Sequence, residues 1–157
     1  MHDFDMISVC MSKGMGSPAG SLLVGGFQDI EKAKEYNRML GGEFDESSVL
    51  AACALVSLDG WEEHLNRDNE NASFMAYELA EIPGVQLDPN IVETNILRFS
   101  VDQENLERAG AKDHNQFSSI LKNHGILCRD FGNTCIRMIT HRDISRQDCE
   151  TAVNAFK

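Results

Sequence analysis

Positive charge is scarce in this chain: 14 Lys and Arg stand against 25 Asp and Glu, giving a formal charge of −11 and a pI near 4.8. That balance excludes a protein that holds nucleic acid or an anionic membrane surface by charge alone, because the counter-charge for phosphate is missing. Long apolar runs are missing too. The longest, Val49–Val56, has eight residues and falls far short of a membrane span. The start, Met1-His2-Asp3-Phe4-Asp5, carries acids where a secretory signal needs basic residues. The five cysteines (Cys10, Cys53, Cys128, Cys135, Cys149) are odd in number and never in CxxC spacing. Free thiols in the cytoplasm fit that pattern better than a disulfide framework or a structural zinc site. Histidine and carboxylate spacings typical of a metal site are also absent, as is the GxxxxGK[ST] phosphate loop. There is no internal repeat and no low-complexity tract. Asn71-Ala72-Ser73 matches a glycosylation sequon inside a helical pattern and reads as chance.

What is present is a folding composition, with 42 % apolar residues in 157. The length suits one domain or a small two-lobed unit, with a folded surface of roughly 7,900 Å². Met6–Cys10 and Ser21–Gly25 read as short strands around an irregular loop with Gly14, Gly16, Pro18 and Gly20. Ile30, Ala33, Tyr36 (or Asn37) and Leu40 recur at helical spacing over residues 29–40, with Gly41-Gly42 as the stop. Ser47 or Ser48 can cap the next helix, 49–58, which is apolar on nearly every face and is therefore expected to be buried. A third helix, about 61–81, carries Leu65, Ala72, Met75, Ala76, Leu79 and Ala80 over an acidic outer face and stops at Pro83-Gly84.

Beyond Pro83-Gly84 the pattern predicts a compact α+β unit. Asn95–Phe99, Gly125–Cys128 and Cys135–Ile139 read as three strands, the last two joined by a turn from Asp130 to Asn133. Residues 113–123 form a helix with Phe117, Ile120 and Leu121 inward and Gly125 as its cap. Ser145 opens the last helix, with Asp148 three residues on as in a capping box. This divides the chain into 1–83 and 84–157. Of the histidines, His64, His114 and His124 lie in or beside polar helical faces, His2 sits at the terminus, and His141 ends a strand, where capping is the plain reading.

Two side chains stand out chemically. Lys13 lies between an apolar strand and a Gly-rich loop, in Cys10-Met11-Ser12-Lys13-Gly14-Met15-Gly16. It reads either as an ordinary surface lysine or as an amine confined enough to condense with a carbonyl. Arg137 lies in a strand among apolar residues, where it needs a neighbouring acid, a route to water or a ligand anion.

The stretch Ser8-Val9-Cys10-Met11-Ser12-Lys13-Gly14-Met15-Gly16-Ser17-Pro18-Ala19-Gly20-Ser21 resembles the lysine segment of the low-specificity threonine aldolases. Ordered matches follow at Arg38-Met39-Leu40-Gly41-Gly42, at Asn69-Glu70-Asn71-Ala72, at Thr94-Asn95-Ile96 and at Ile136-Arg137-Met138-Ile139-Thr140-His141. The resemblance runs from Ser8 to about Phe156 and is to the C-terminal half of that family. It implies an α/β fold: the C-terminal part of a pyridoxal-phosphate enzyme of the aspartate-aminotransferase type (fold type I). Residues 1–83 would then be the end of the large domain with linking helices, and 84–157 an α+β small domain.

By the same resemblance, Lys13 is the catalytic lysine that carries pyridoxal 5′-phosphate. Arg38 reaches the cofactor phosphate, although it could equally favour its own helix C-terminus. Arg137 grips the substrate α-carboxylate, a task suited to a guanidinium fork. No metal is implied. The implied reaction is retro-aldol cleavage of threonine or allo-threonine to glycine and acetaldehyde. The implied partners are a small β-hydroxy amino acid and a second copy of the chain or a separate N-terminal half. One departure is sharp. Family members read Gly-Gly-Gly-Met-Arg-Gln where this chain reads Gly41-Gly42-Glu43-Phe44-Asp45-Glu46, placing carboxylates where phosphate is held. The alternative reading that follows is a non-catalytic homologue acting as an interaction module.

Overall fold

The computed structural model describes residues 3–132 and 134–157. The expectations touching His2, and Asn133 as the end of a turn, lie outside the described residues. The chain divides into two compact units, Met1–Glu63 and His64–Lys157.

In the first unit, β1 (Met6–Cys10) and β2 (Ser21–Gly25) pair as an antiparallel hairpin, with Ile7 opposite Val24 and Val9 opposite Leu22. α1 (Phe27–Met39) turns its half-buried Ile30 and Ala33 towards Ser21 and Leu23 of β2. Its end is set by Gly41 at φ +72°, a conformation that favours glycine. The Gly41 N–H donates to the Arg38 carbonyl and the Gly42 N–H to that of Asn37, so the two glycines close the last turn as the sequence predicts.

α2 (Ser47–Ser57) differs from expectation. Only Ala54 and Ser57 are buried, while Val49, Leu55 and Val56 are exposed. A helix that is apolar all round needs cover on every side, and Val49, Leu55 and Val56 have none. The cap also differs: Glu46 precedes the helix, with no side-chain hydrogen bond from it or from the serines.

The second unit holds one continuous core. α3 (Trp61–Ala80) leads into a four-stranded antiparallel sheet of order β3-β4-β6-β5, made by β3 (Val85–Gln86), β4 (Ile96–Val101), β5 (Arg129–Phe131) and β6 (Cys135–Ile139). α4 (Gln103–Arg108), α5 (His114–Asn123) and α6 (Arg146–Asn154) complete it. Leu97, Phe99 and Val101 of β4 and Ile136 and Met138 of β6 bury one sheet face. Against them lie Ala72, Met75, Ala76 and Leu79 of α3, Phe117 and Leu121 of α5, and Ala152 and Val153 of α6. Phe156 sets its ring 5.6 Å from Phe99 and 5.8 Å from Phe117, within the range of favourable aromatic pairs. Ser145 and Asp148 form the reciprocal capping box foreseen for α6.

The sheet has one strand more than the sequence suggests, and another strand is shifted. The expected strand Gly125–Cys128 is not one, because the N–H groups of Gly125 and Ile126 donate back to the carbonyls of Lys122 and Leu121 to cap α5. They are thereby withdrawn from any ladder, and pairing begins at Arg129. α4 went unforeseen, although Asp102 caps it by accepting from the Asn105 N–H. His114 is buried rather than polar-facing, and its Nε2 accepts the Val101 N–H at 3.1 Å.

Asp68 of α3 is 1 % exposed and neither of its carboxylate oxygens has a hydrogen-bond partner. Only its backbone carbonyl is bound, by the Thr140 hydroxyl at 2.6 Å. Burial pushes its pKa up, and Arg67, His141, His64 and Arg142 oppose that shift in part. The folded state therefore holds this proton more tightly than the unfolded state. Stability from this group is lost as pH rises from the ordinary carboxylate range through the raised value. Asp68→Asn should raise stability by about 1 kcal/mol at neutral pH, and the gain should vanish below about pH 4, where both side chains are neutral. Thermal unfolding of the two proteins across that range checks it.

Candidate active site

Lys13 sits in the turn between β1 and β2. Two buried residues hold the turn in place, Met11 at 1 % exposure and Ser17 at 4 %. The Met11 N–H donates to the Gly20 carbonyl, the Ser17 N–H to that of Met11 and the Gly16 N–H to that of Lys13. Gly16 and Gly20, at φ +78° and +107°, permit this path. Lys13 itself is exposed and makes no ion pair among the described residues. At the base of the turn, the Cys10 thiol lies 3.3 Å from the Ser12 hydroxyl. That hydrogen bond is the main cause of a lowered Cys10 pKa, and the Lys13 charge adds to it.

Arg38 is in the last turn of α1, and its guanidinium is already engaged. Nε and Nη2 donate to the Glu43 carboxylate at 3.2–3.3 Å, a two-pronged pair between exposed side chains. Glu43 therefore occupies the guanidinium that the sequence resemblance assigns to a phosphate.

Arg137 belongs to the second unit, on the sheet face opposite the core. Its Nε is buried and has no hydrogen-bond partner. The register places Arg98 of β4 directly opposite Arg137 on one side and Arg129 of β5 directly opposite it on the other. Three guanidinium groups therefore stand in a row across three strands, and none makes an ion pair among the described residues. Arg98 places its guanidinium carbon 4.6 Å from the centre of the Phe131 ring. Arg129 and Arg137 both line a cavity of about 240 Å³, together with Leu127, Cys128 and Ile139. Burial pushes the Cys128 thiol pKa up, so it stays neutral and leaves the two arginines as the charged groups of that cavity.

Sequence reasoning singled out Arg137 and missed Arg98 and Arg129. The missing signal was the strand register, which no single strand carries. Among the described residues, no group of three or more His, Cys, Asp or Glu could hold a metal ion, and no helix is long and apolar enough to cross a membrane.

Comparison with solved structures places the chain in the fold type I class shared by lyases and aminotransferases. A putative aromatic amino acid beta-eliminating lyase/threonine aldolase from Exiguobacterium sp. 255-15 superposes with a TM-score of 0.70 at 17 % identity, over 98 % of this chain and 44 % of that one. A putative L-allo-threonine aldolase from Listeria monocytogenes gives 0.62 at 18 % identity over the same shares. The sequence model of the beta-eliminating lyase family matches residues 1–102, and the chain belongs to that family. Low-specificity L-threonine aldolase 1 of Arabidopsis thaliana is 33 % identical over 98 % of this chain and 41 % of its own length. The low specificity L-threonine aldolase of Escherichia coli K12 is 33 % identical over 91 % and 39 %. The chain thus spans about two fifths of the length of the curated relatives it matches.

These matches correct the expectation of a C-terminal half. The family model is met by the N-terminal two-thirds of the chain, 1–102, so the large-domain region is present. Fold type I stands, while the assignment to a C-terminal part built around a small domain does not.

The arginine row has an energetic consequence of its own. Like charges directly opposite each other on neighbouring strands repel, by a few tenths of a kcal/mol in exposed settings. Arg129→Gln should therefore stabilise the ligand-free chain by about 0.5 kcal/mol at low salt. The gain should shrink when salt shortens the screening length, and paired melts at low and high sodium chloride measure both effects.

Proposed function

We propose that this chain takes part in pyridoxal-phosphate-dependent retro-aldol cleavage of a β-hydroxy-α-amino acid such as threonine or allo-threonine, giving glycine and acetaldehyde. The observation that carries the reading is the buried Arg137 Nε without a partner, in a cavity that contains no acid. An unpaired buried donor is costly, and a carboxylate is the ligand that satisfies a guanidinium fork in both charge and geometry. The printed names of the relatives supply the reaction class.

Lys13 fits the cofactor, because the residue is exposed, lies in an anchored turn and makes no ion pair among the described residues. When bound, pyridoxal phosphate supplies the electron sink for breaking the Cα–Cβ bond. Lys13 would be the residue that holds the cofactor, through its amine. Arg137 would bind the substrate α-carboxylate through its guanidinium fork and so hold that end of the substrate in one orientation. Arg38, as arranged, does not fit the cofactor phosphate, because Glu43 already fills its fork. That ion pair favours the second reading, a homologue that keeps the fold and serves as an interaction module.

Absorbance separates the two. With pyridoxal phosphate added, the chain should develop a band near about 410–430 nm that Lys13→Ala removes. No band even at millimolar cofactor would decide for the second reading. Arg38 gives a further test: Glu43→Gln should release it and tighten cofactor binding several-fold in the same titration. Unchanged affinity would place Arg38 away from the phosphate.

A further inference from the structure

We propose that the cavity beside Arg137 is built for a dianionic ligand: a β-hydroxy-α-amino acid carrying a second carboxylate, held by Arg137 at one end and Arg129 at the other. The inference rests on the reading of Arg137 as a carboxylate anchor and adds the substrate class.

Three observations carry it. The register sets Arg129 directly opposite Arg137, on neighbouring strands that lie about 4.8 Å apart in a sheet. Backbones that close put both side chains within reach of one four-carbon diacid. Both arginines line the same open cavity of about 240 Å³, and its other lining residues, Leu127, Cys128 and Ile139, carry no anion. Finally, the pair lacks the counter-charge that arginines in an acidic protein would ordinarily find. The chain has 25 acidic side chains, yet none forms an ion pair with Arg98, Arg129 or Arg137 among the described residues.

One carboxylate can satisfy the fork of Arg137 but leaves Arg129 unmatched. Two carboxylates pair both and remove the cross-strand repulsion. Arg98 is committed to the face of Phe131. Its remaining positive charge adds to the field without supplying a fork, so Arg129 is the second anchor. A substrate such as threonine, with a methyl group where the second carboxylate would be, would use half of this site.

The test needs neither cofactor nor turnover. Succinate and butyrate match in carbon count and differ in the second carboxylate, so the full chain is titrated with each by calorimetry at pH 7.5 and low salt. Succinate should bind at least about tenfold more tightly than butyrate, a difference of about 1.4 kcal/mol. Arg129→Gln should abolish that preference, lowering succinate affinity far more than butyrate affinity, and Arg129→Lys should restore part of it. Equal affinities, or a preference that survives Arg129→Gln, would overturn the inference. If butyrate binding is lost in Arg137→Gln in that case, the Arg137 reading still stands. Butyrate binding that is indifferent to Arg137→Gln would overturn the Arg137 reading, and the inference with it.

Discussion

The antiparallel pairing of β4 with β6 is the constraint from which both the core and the candidate substrate site follow. Side chains alternate along a strand with period two, so the register admits no compromise between the two faces. Leu97 and Phe99 must face inward with Ile136 and Met138, because α3, α5 and α6 offer them an apolar surface. Arg98 and Arg137 are then forced outward and directly opposite each other. β5 joins in the same phase and adds Arg129 to the row. A one-residue slip would scatter the arginines, but it would also turn the hydrophobic set to solvent. Core burial therefore fixes the position of the cations.

The same logic explains what the sequence made legible. Where an element is defined by its own residues, the pattern sufficed. The Schellman glycines Gly41-Gly42, the capping box of Ser145 and Asp148, and the strands Met6–Cys10, Ser21–Gly25 and Cys135–Ile139 all stand where their residues place them. Arg137 was visible because an arginine within an apolar strand is locally anomalous. What depends on partners was not visible. Arg98 lies in an apolar strand just as Arg137 does and was passed over, while Arg129 acquires meaning only through the register. Asp68 looked like part of an acidic helix face, and only the tertiary packing around Thr140 shows that it is buried. The displaced strand at Gly125 failed for another reason: the residues after a helix serve its cap before they serve a sheet, and the capping bonds took the N–H groups a ladder would need.

α2 marks the limit of reasoning from composition. A run such as Val49–Val56 implies burial only if something covers it, and within its own unit Val49, Leu55 and Val56 remain open.

Electrostatics give the two candidate cation sites opposite characters. Arg38 is neutralised within the chain by Glu43, five residues away, through a contact that water screens and that costs the fold little. Arg137 and its neighbours receive no such partner, although acids outnumber bases along the whole sequence. A surface selected only for stability would separate three like charges or place an acid among them, since either change removes a repulsion and would leave Leu97, Phe99, Ile136 and Met138 undisturbed on the other face. On the proposed reading, an anion bound at the outer face removes that repulsion, since a positively charged cavity with one unsatisfied buried donor suits an anionic ligand.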